Sequence, residues 1–131
     1  METHEAYVSL ETAKLLKQAG FDWEVDVRYK KGEWTPYELS LYRGDSYNYN
    51  YYDSEYSAPT LAVAQKWLRE VKKYHIYVRP YSLDDETYVT NIVVIDSIWG
   101  ALQDDNKKAI IFKTYEQALE AGIKKCLTII L

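Results

Sequence analysis

Apolar side chains recur at helical spacing in three stretches of the chain, residues 9–20, 57–73 and 114–131. The first stretch is bounded by residues that are typical of helix ends. Ser9 can cap the free amides of the first turn, and Gly20 favours the left-handed turn that ends a helix. The pattern therefore predicts three helices, one near each end of the chain and one in the middle.

The second and third predicted helices each have an apolar face. Ser57 is a candidate cap for the second, whose inner stripe consists of Leu61, Ala64, Leu68 and Val71, with Trp67 beside it. Thr114 with Gln117 matches a capping box for the third, whose predicted buried face consists of Tyr115, Ala118, Leu119, Gly122 and Cys126. A glycine within a helix costs about 1 kcal/mol relative to alanine, so Gly122 indicates close packing against a neighbour.

Alternation with a period of two predicts strands between the helices. It is clearest in residues 21–30, where one side carries Phe21, Trp23, Val25 and Val27. The other predicted strands are residues 34–42, 75–81, 87–99 and 109–112. Turns are expected at residues 30–33, 43–46 and 84–86, and a polar loop at 101–108.

These elements follow the order α-β-β-(β)-α-β-β-(β)-α. Pairs of strands between helices are typical of an antiparallel sheet, so the fold class is predicted to be α+β, with about three helices packed mainly on one face. The whole chain, residues 1–131, is expected to form one globular domain. The order also hints at two similar halves, each a helix followed by strands.

The segment YNYNYYDSEY, residues 47–56, has the most unusual composition in the chain. Its tyrosines are Tyr47, Tyr49, Tyr51, Tyr52 and Tyr56. The alternation with asparagine fits a strand, but no aliphatic residue occurs between Leu41 and Ala58, which favours an exposed edge or a loop. Both alternatives stay open. Because tyrosine is enriched at interfaces, these five residues are predicted to form a protein contact surface.

Composition indicates a globular protein, with 47% apolar and 27% charged residues and a net charge of −4. A single cysteine, Cys126, excludes an intramolecular disulfide and any cysteine-rich metal site, and it is expected to be a buried, inert thiol. The first residues show no basic start followed by an apolar run, and the longest apolar stretch is too short for a bilayer. The chain is therefore expected to be cytoplasmic.

Residues suited to catalysis are sparse, and an enzyme is the less favoured interpretation. His4 lies near the terminus and His75 begins a predicted strand, where a role at a rim or interface is favoured over general base catalysis. The carboxylates at 84–86 and 104–105 belong to turns, and neither turn has the ligand spacing of a calcium loop. The five glycines are isolated, so no phosphate-binding loop is present. No catalytic residue, metal or cofactor is predicted, and RGD at 43–45 is interpreted as a chance turn.

Three segments resemble one protein family: residues 9–22, residues 56–71 with 75–78, and residues 114–127. The family consists of small uncharacterised proteins of gut Bacteroides-type bacteria and of their phages and prophages. The resemblance covers nearly the whole chain in the order of the family, except the tract 42–55 and the loop 100–108. It implies an accessory protein of a mobile element and implies no catalytic residues.

Two kinds of binding remain as hypotheses for the function. The first is a non-catalytic module that binds a protein partner or itself through the tyrosine tract, with helix 57–73 behind it. The alternative is a single-stranded nucleic-acid binder, whose basic helix face would consist of Lys66, Arg69 and Lys73. The net negative charge and the acids near the tyrosines favour an ordinary solvated face for that helix. The sequence identifies neither the partner nor the oligomeric state.

Overall fold

The computed structural model describes residues 6–32, 37–41, 46–82, 84–94 and 97–131. The helices and strands of this part are α1 (Leu10–Gln18), β1 (Val27–Lys30), β2 (Glu38–Leu41), β3 (Glu55–Ser57), α2 (Leu61–Trp67), β4 (Tyr74–Ser82), β5 (Thr87–Val94), β6 (Ser97–Ala101) and α3 (Tyr115–Ile130). A 3-10 turn, Tyr49–Tyr51, precedes β3, and a π-helical turn, Leu68–Lys72, extends α2. The α+β class is confirmed, and the order of elements agrees with the prediction.

The strands of the described part form two three-stranded antiparallel sheets, ordered β2-β1-β3 and β4-β5-β6. The chain passes through α2 between them, and each sheet is built from three consecutive strands. The first strand is central in one sheet and the second strand is central in the other. The two halves of the chain therefore share an order of elements but not a sheet topology.

The predicted strands differ from the observed ones mainly in length. Of residues 21–30 only Val27–Lys30 form a strand, and Val25 instead makes an isolated bridge with Tyr47. The predicted strand 87–99 contains β5 and the start of β6. Residues 109–112 contribute isolated bridges, from Ala109 to Gln103 and from Phe112 to Tyr88, and no strand.

Helix caps fall largely where the sequence predicts them. The Ser9 hydroxyl accepts the amide of Thr12 at 3.2 Å, and the Thr114 hydroxyl accepts the amide of Gln117 at 3.1 Å. The prediction of Ser57 as the cap of the second helix is wrong. Ser57 ends β3, and the cap of α2 is Thr60, because the chain must leave the sheet before it can coil.

The π turn explains why one residue of the predicted inner stripe of α2 is exposed. Leu61, Ala64 and Leu68 are buried as predicted, but Val71 is exposed. A π turn closes hydrogen bonds over five residues, so it adds a residue to the turn and rotates the following side chains around the helix. Lys73, with a φ of 65°, then ends the helix in the left-handed conformation.

The main core lies where the three helices meet the sheets. α3 packs against β4 and β5, while α1 and α2 pack against α3. The Thr90 hydroxyl donates to the Ala118 carbonyl at 2.7 Å and so ties the sheet to the helix. The face of α3 predicted to be buried is buried except for its first residue, Tyr115. No helix of the described residues is long and apolar enough to cross a membrane.

Candidate functional site

The tyrosine tract forms a loop around a single 3-10 turn. Tyr49 is only 3% exposed and belongs to the core, whereas Tyr47, Tyr51 and Tyr52 are 41%, 77% and 46% exposed. Tyr56 lies in β3 and is half-buried. The alternation of tyrosine and asparagine thus does not place its rings on one face, and we call the three exposed rings, Tyr47, Tyr51 and Tyr52, the tyrosine patch.

The asparagines explain why the tract turns instead of extending. The Asn48 side chain accepts the Asn50 amide at 3.1 Å and so caps the 3-10 turn. The Asn50 side chain donates to the Phe21 carbonyl and accepts the Ser57 amide, both at 2.9 Å. Asparagine side chains compete in this way with the hydrogen bonds of a strand. This preference is the sequence signal for a loop at this position.

In the tyrosine patch, the Tyr52 ring contacts both of the other rings. Tyr47 and Tyr52 stack with ring centroids 5.8 Å apart, and Tyr51 meets Tyr52 edge to face at 5.6 Å. A hydrogen bond between the Tyr47 and Tyr52 hydroxyls raises the pKa of Tyr47. The patch therefore presents continuous aromatic surface, on which the Tyr47 hydroxyl stays protonated at neutral pH.

Cations from α1 and β1 hold the tract in place. The Lys17 ammonium donates to the carbonyls of Tyr52 and Glu55, and it lies 4.9 Å from the centroid of the Tyr56 ring. The Arg28 guanidinium lies 5.0 Å from the centroid of the Tyr49 ring. Such contacts are favourable because the face of an aromatic ring carries negative potential. The helix that contacts the tract in this way is α1, whereas the sequence hypothesis placed helix 57–73 behind it.

The alternative basic face lies on α2 and its π turn. Lys66, Arg69 and Lys73 are all exposed, as predicted. Glu70 is exposed between them, and the Lys73 ammonium donates to the Glu70 carbonyl at 2.8 Å. The Lys72 ammonium instead lies over the buried Trp67 ring, 5.5 Å from its centroid. These contacts are typical of a solvated helix face.

The remaining residues considered in the sequence, the two histidines, the cysteine and the RGD tripeptide, do not lie together in one described site. His75 lies in β4 beside Tyr77, and Cys126 is fully buried. His4 and the RGD at 43–45 lie outside the described residues. Among the described residues, no histidine, cysteine, aspartate and glutamate side chains gather in a group of three that could hold a metal ion.

A second surface feature is a groove of about 1270 Å³, which we call the α3 groove. Its walls are one side of α3, the segment that precedes α1 with the start of α1, and the segment from Gly100 to Phe112. Its apolar lining includes Ala6, Leu61, Ala101, Leu102, Ile110, Phe112 and Ala121. No pattern in the sequence indicates this groove, because its walls come from segments more than ninety positions apart (Ser9 and Gly100, for example).

Glu120 fixes the wall between α1 and α3. Its Oε1 accepts the Ser9 amide at 3.0 Å and the Thr12 hydroxyl at 2.6 Å. In a capping box, the residue three positions after the cap is Glu or Gln, and its side chain accepts the amide of the cap residue. In α1 that position is Thr12, and Glu120 of α3 accepts the Ser9 amide instead. A residue 108 positions away therefore completes the capping of α1.

Glu120→Ala is expected to lower the free energy of unfolding by about 1–2 kcal/mol, since it leaves the Ser9 amide and the Thr12 hydroxyl without their acceptor. Urea denaturation would measure the change. Glu120→Gln should cost less, because the amide oxygen can still accept. Glu116→Ala, on an exposed position of the same helix, is the control. A Glu120→Ala loss no larger than that of Glu116→Ala would contradict the role of Glu120 as a cap.

The chain matches no known protein-family profile, no curated protein and no solved structure.

Proposed function

We propose that this chain is a non-catalytic module that binds another protein, or a second copy of itself, through the tyrosine patch. The observation that carries the proposal is the packing of three exposed tyrosine rings, in which Tyr52 has its centroid within 6 Å of those of both Tyr47 and Tyr51. Tyrosine contributes large contact area at a small cost in side-chain entropy, and its hydroxyl can pair across an interface. No cofactor or metal takes part in this function.

The fixed backbone beneath the patch supports the same proposal. Asn50 ties the tract to Phe21 and Ser57, and Lys17 ties it to α1. The entropy cost of binding is smaller when the anchor residues are already held in place before binding. The exposed rings are thus presented by a loop whose backbone is fastened at several points.

The resemblance of the sequence to small proteins of gut Bacteroides-type bacteria and their phages supports a role in a mobile element. In this proposal the chain is an accessory protein that acts in the cytoplasm. Its partner is a protein of the host cell or a second copy of the chain. Enzymatic activity remains the less favoured alternative, because the hydroxyl beside a carboxylate next to the tract, Ser46 with Asp26 at 2.6 Å, is exposed and no third group that would orient the base is recorded among the described residues.

Binding of single-stranded nucleic acid is the second candidate. Exposed Lys66 and Arg69 on α2 favour it, because a basic groove beside stackable rings is the usual arrangement of such proteins. The tyrosine patch, however, is fastened to α1 and β3, while α2 packs against α3. The rings and the basic face therefore belong to different parts of the fold.

The double variant Tyr51→Ser/Tyr52→Ser is expected to lose partner binding by at least about tenfold, since aromatic anchors typically carry more than 1 kcal/mol each at an interface. Sedimentation velocity over a range of concentrations measures self-association, and a tagged pull-down from host lysate, with and without nuclease, measures a foreign partner. The matched control is Tyr77→Ser/Tyr81→Ser, because these tyrosines are 55% and 56% exposed on β4.

The outcomes separate the hypotheses. A complex that survives nuclease, is lost in the Tyr51/Tyr52 variant and is kept in the Tyr77/Tyr81 control supports the proposal. Equal binding by both variants contradicts it. Recovered nucleic acid whose binding weakens steeply with salt and fails in Lys66→Ala/Arg69→Ala would support the second candidate instead.

A further inference from the structure

The size and shape of the α3 groove suit a segment of polypeptide. At about 1270 Å³ the groove exceeds the roughly 300–1,000 Å³ of sites for small molecules. The α3 residues along it extend from Glu116 to Thr128, a distance of about 18 Å at 1.5 Å per residue. An extended chain covers that distance with about five or six residues.

The floor of the groove is apolar and has room at its centre. Leu61, Leu102 and Phe112 contribute apolar side chains to the lining. On the α3 side the central position is Ala121, whose small side chain leaves space between Gln117 and Lys124. An apolar side chain of an incoming segment would lose its contact with water here, which favours binding in proportion to the buried area.

The charges that line the groove are predominantly acidic. Among the described residues, the charged ones in the lining are Glu11, Asp104, Glu116, Glu120, Lys124 and Lys125. Lys124 already forms an ion pair with Glu11 at 2.8 Å. Glu116 is exposed near the start of α3 and makes no ion pair with another described residue. The Glu116 carboxylate therefore offers negative charge to a cationic partner, whereas Asp104 Oδ1 already accepts the amides of Asn106 and Lys108.

We propose that the α3 groove binds a short segment of another protein in which apolar side chains are flanked by lysine or arginine. The apolar side chains lie on the floor around Ala121, and the basic side chain meets the exposed Glu116 carboxylate. Charge complementarity of this kind sets the orientation of a bound segment and excludes acidic competitors. This site is separate from the tyrosine patch, and none of the patch residues lines it.

Selection from a displayed library of random twelve-residue peptides tests the proposal on the full chain. Recovered peptides are expected to combine leucine, isoleucine, phenylalanine or methionine with lysine or arginine. Their affinities would then be measured by fluorescence anisotropy for the unchanged chain, for Ala121→Trp, which fills the centre of the groove, and for Glu116→Lys, which reverses charge at an exposed position. Each substitution is expected to weaken binding at least about tenfold, and circular dichroism checks that both variants fold.

Each other result would overturn the proposal. These results are the recovery of no peptide, enrichment of acidic peptides, or affinities unchanged by Ala121→Trp and Glu116→Lys. The Tyr51→Ser/Tyr52→Ser variant distinguishes binding at the tyrosine patch from binding at the α3 groove. Peptides that lose affinity only in that variant would support the tyrosine patch and count against the groove. Peptides that lose affinity only in Ala121→Trp and Glu116→Lys support the groove, and the function of the patch is then decided by the pull-down and sedimentation experiments.

Discussion

Gly122→Ala is expected to lower the free energy of unfolding by about 1–2 kcal/mol, although the same change at an exposed helical glycine would stabilise by about 1 kcal/mol. A Cβ atom at this position would lie 2.7 Å from Thr90 Cγ2 and 2.8 Å from Ile76 Cγ2. Both neighbours are β-branched residues in strands, and Thr90 is held by its bond to Ala118. The helix must therefore move away from the sheet. Gly122→Leu is expected to prevent folding at 37 °C.

Two further variants test whether the contact causes the loss. Ala121→Gly on the neighbouring position measures the helix propensity alone, and it should cost up to about 1 kcal/mol. Thr90→Ser removes Cγ2 but keeps the hydroxyl, so the double variant with Gly122→Ala should recover part of the stability. Urea denaturation of the unchanged chain, Gly122→Ala, Thr90→Ser and the double variant gives the coupling energy between the two positions. A coupling energy of zero would show that the close approach at Thr90 carries none of the cost.

The position of Gly122 is one of the features that the sequence predicts well. A glycine costs helix stability, so its presence in the middle of an apolar stripe indicates a close neighbour. The caps at Ser9 and Thr114 are predicted for a similar reason, since each depends on an amide only three residues away. Elements governed by local chemistry are therefore predictable from the sequence of this chain.

Other features differ from the prediction because hydrophobic periodicity alone does not capture their causes. The strand predicted for residues 21–30 is shortened because Val25 pairs with Tyr47 alone. Val71 is exposed because of a π turn, which interrupts the regular period that the prediction assumed. In the tyrosine tract, alternation with a period of two was outweighed by the side-chain bonds of Asn48 and Asn50.

The two candidate sites illustrate the same contrast. The residues of the tyrosine patch could be selected from composition, but which rings are exposed depends on Tyr49 entering the core. The α3 groove has no local sequence signal, because it depends on Glu120 bonding to Ser9 over 111 positions. An unusual composition can thus indicate a surface, whereas a groove between distant segments requires their tertiary arrangement.

Cys126 is expected to react with a thiol reagent such as Ellman's reagent at least about a hundredfold more slowly in the native protein than in concentrated urea. Its side chain is fully buried, and burial raises the pKa of the thiol from 9.0 to about 12. That change alone lowers the thiolate fraction at pH 8 by about a thousandfold, and only the thiolate attacks the reagent. A native rate close to the rate in urea would show that the position is accessible.

The residual native rate should report how often α3 opens. A buried thiol reacts only in molecules that have opened locally or globally, so its rate follows the free energy of that opening. Gly122 lies one turn before Cys126 on the same helix, and each 1.4 kcal/mol lost in Gly122→Ala should raise the rate about tenfold. Glu116→Ala, which touches neither residue, should leave the rate nearly unchanged. If Gly122→Ala lowers stability without accelerating the reaction, then α3 stays packed around Cys126 while another part of the chain opens first.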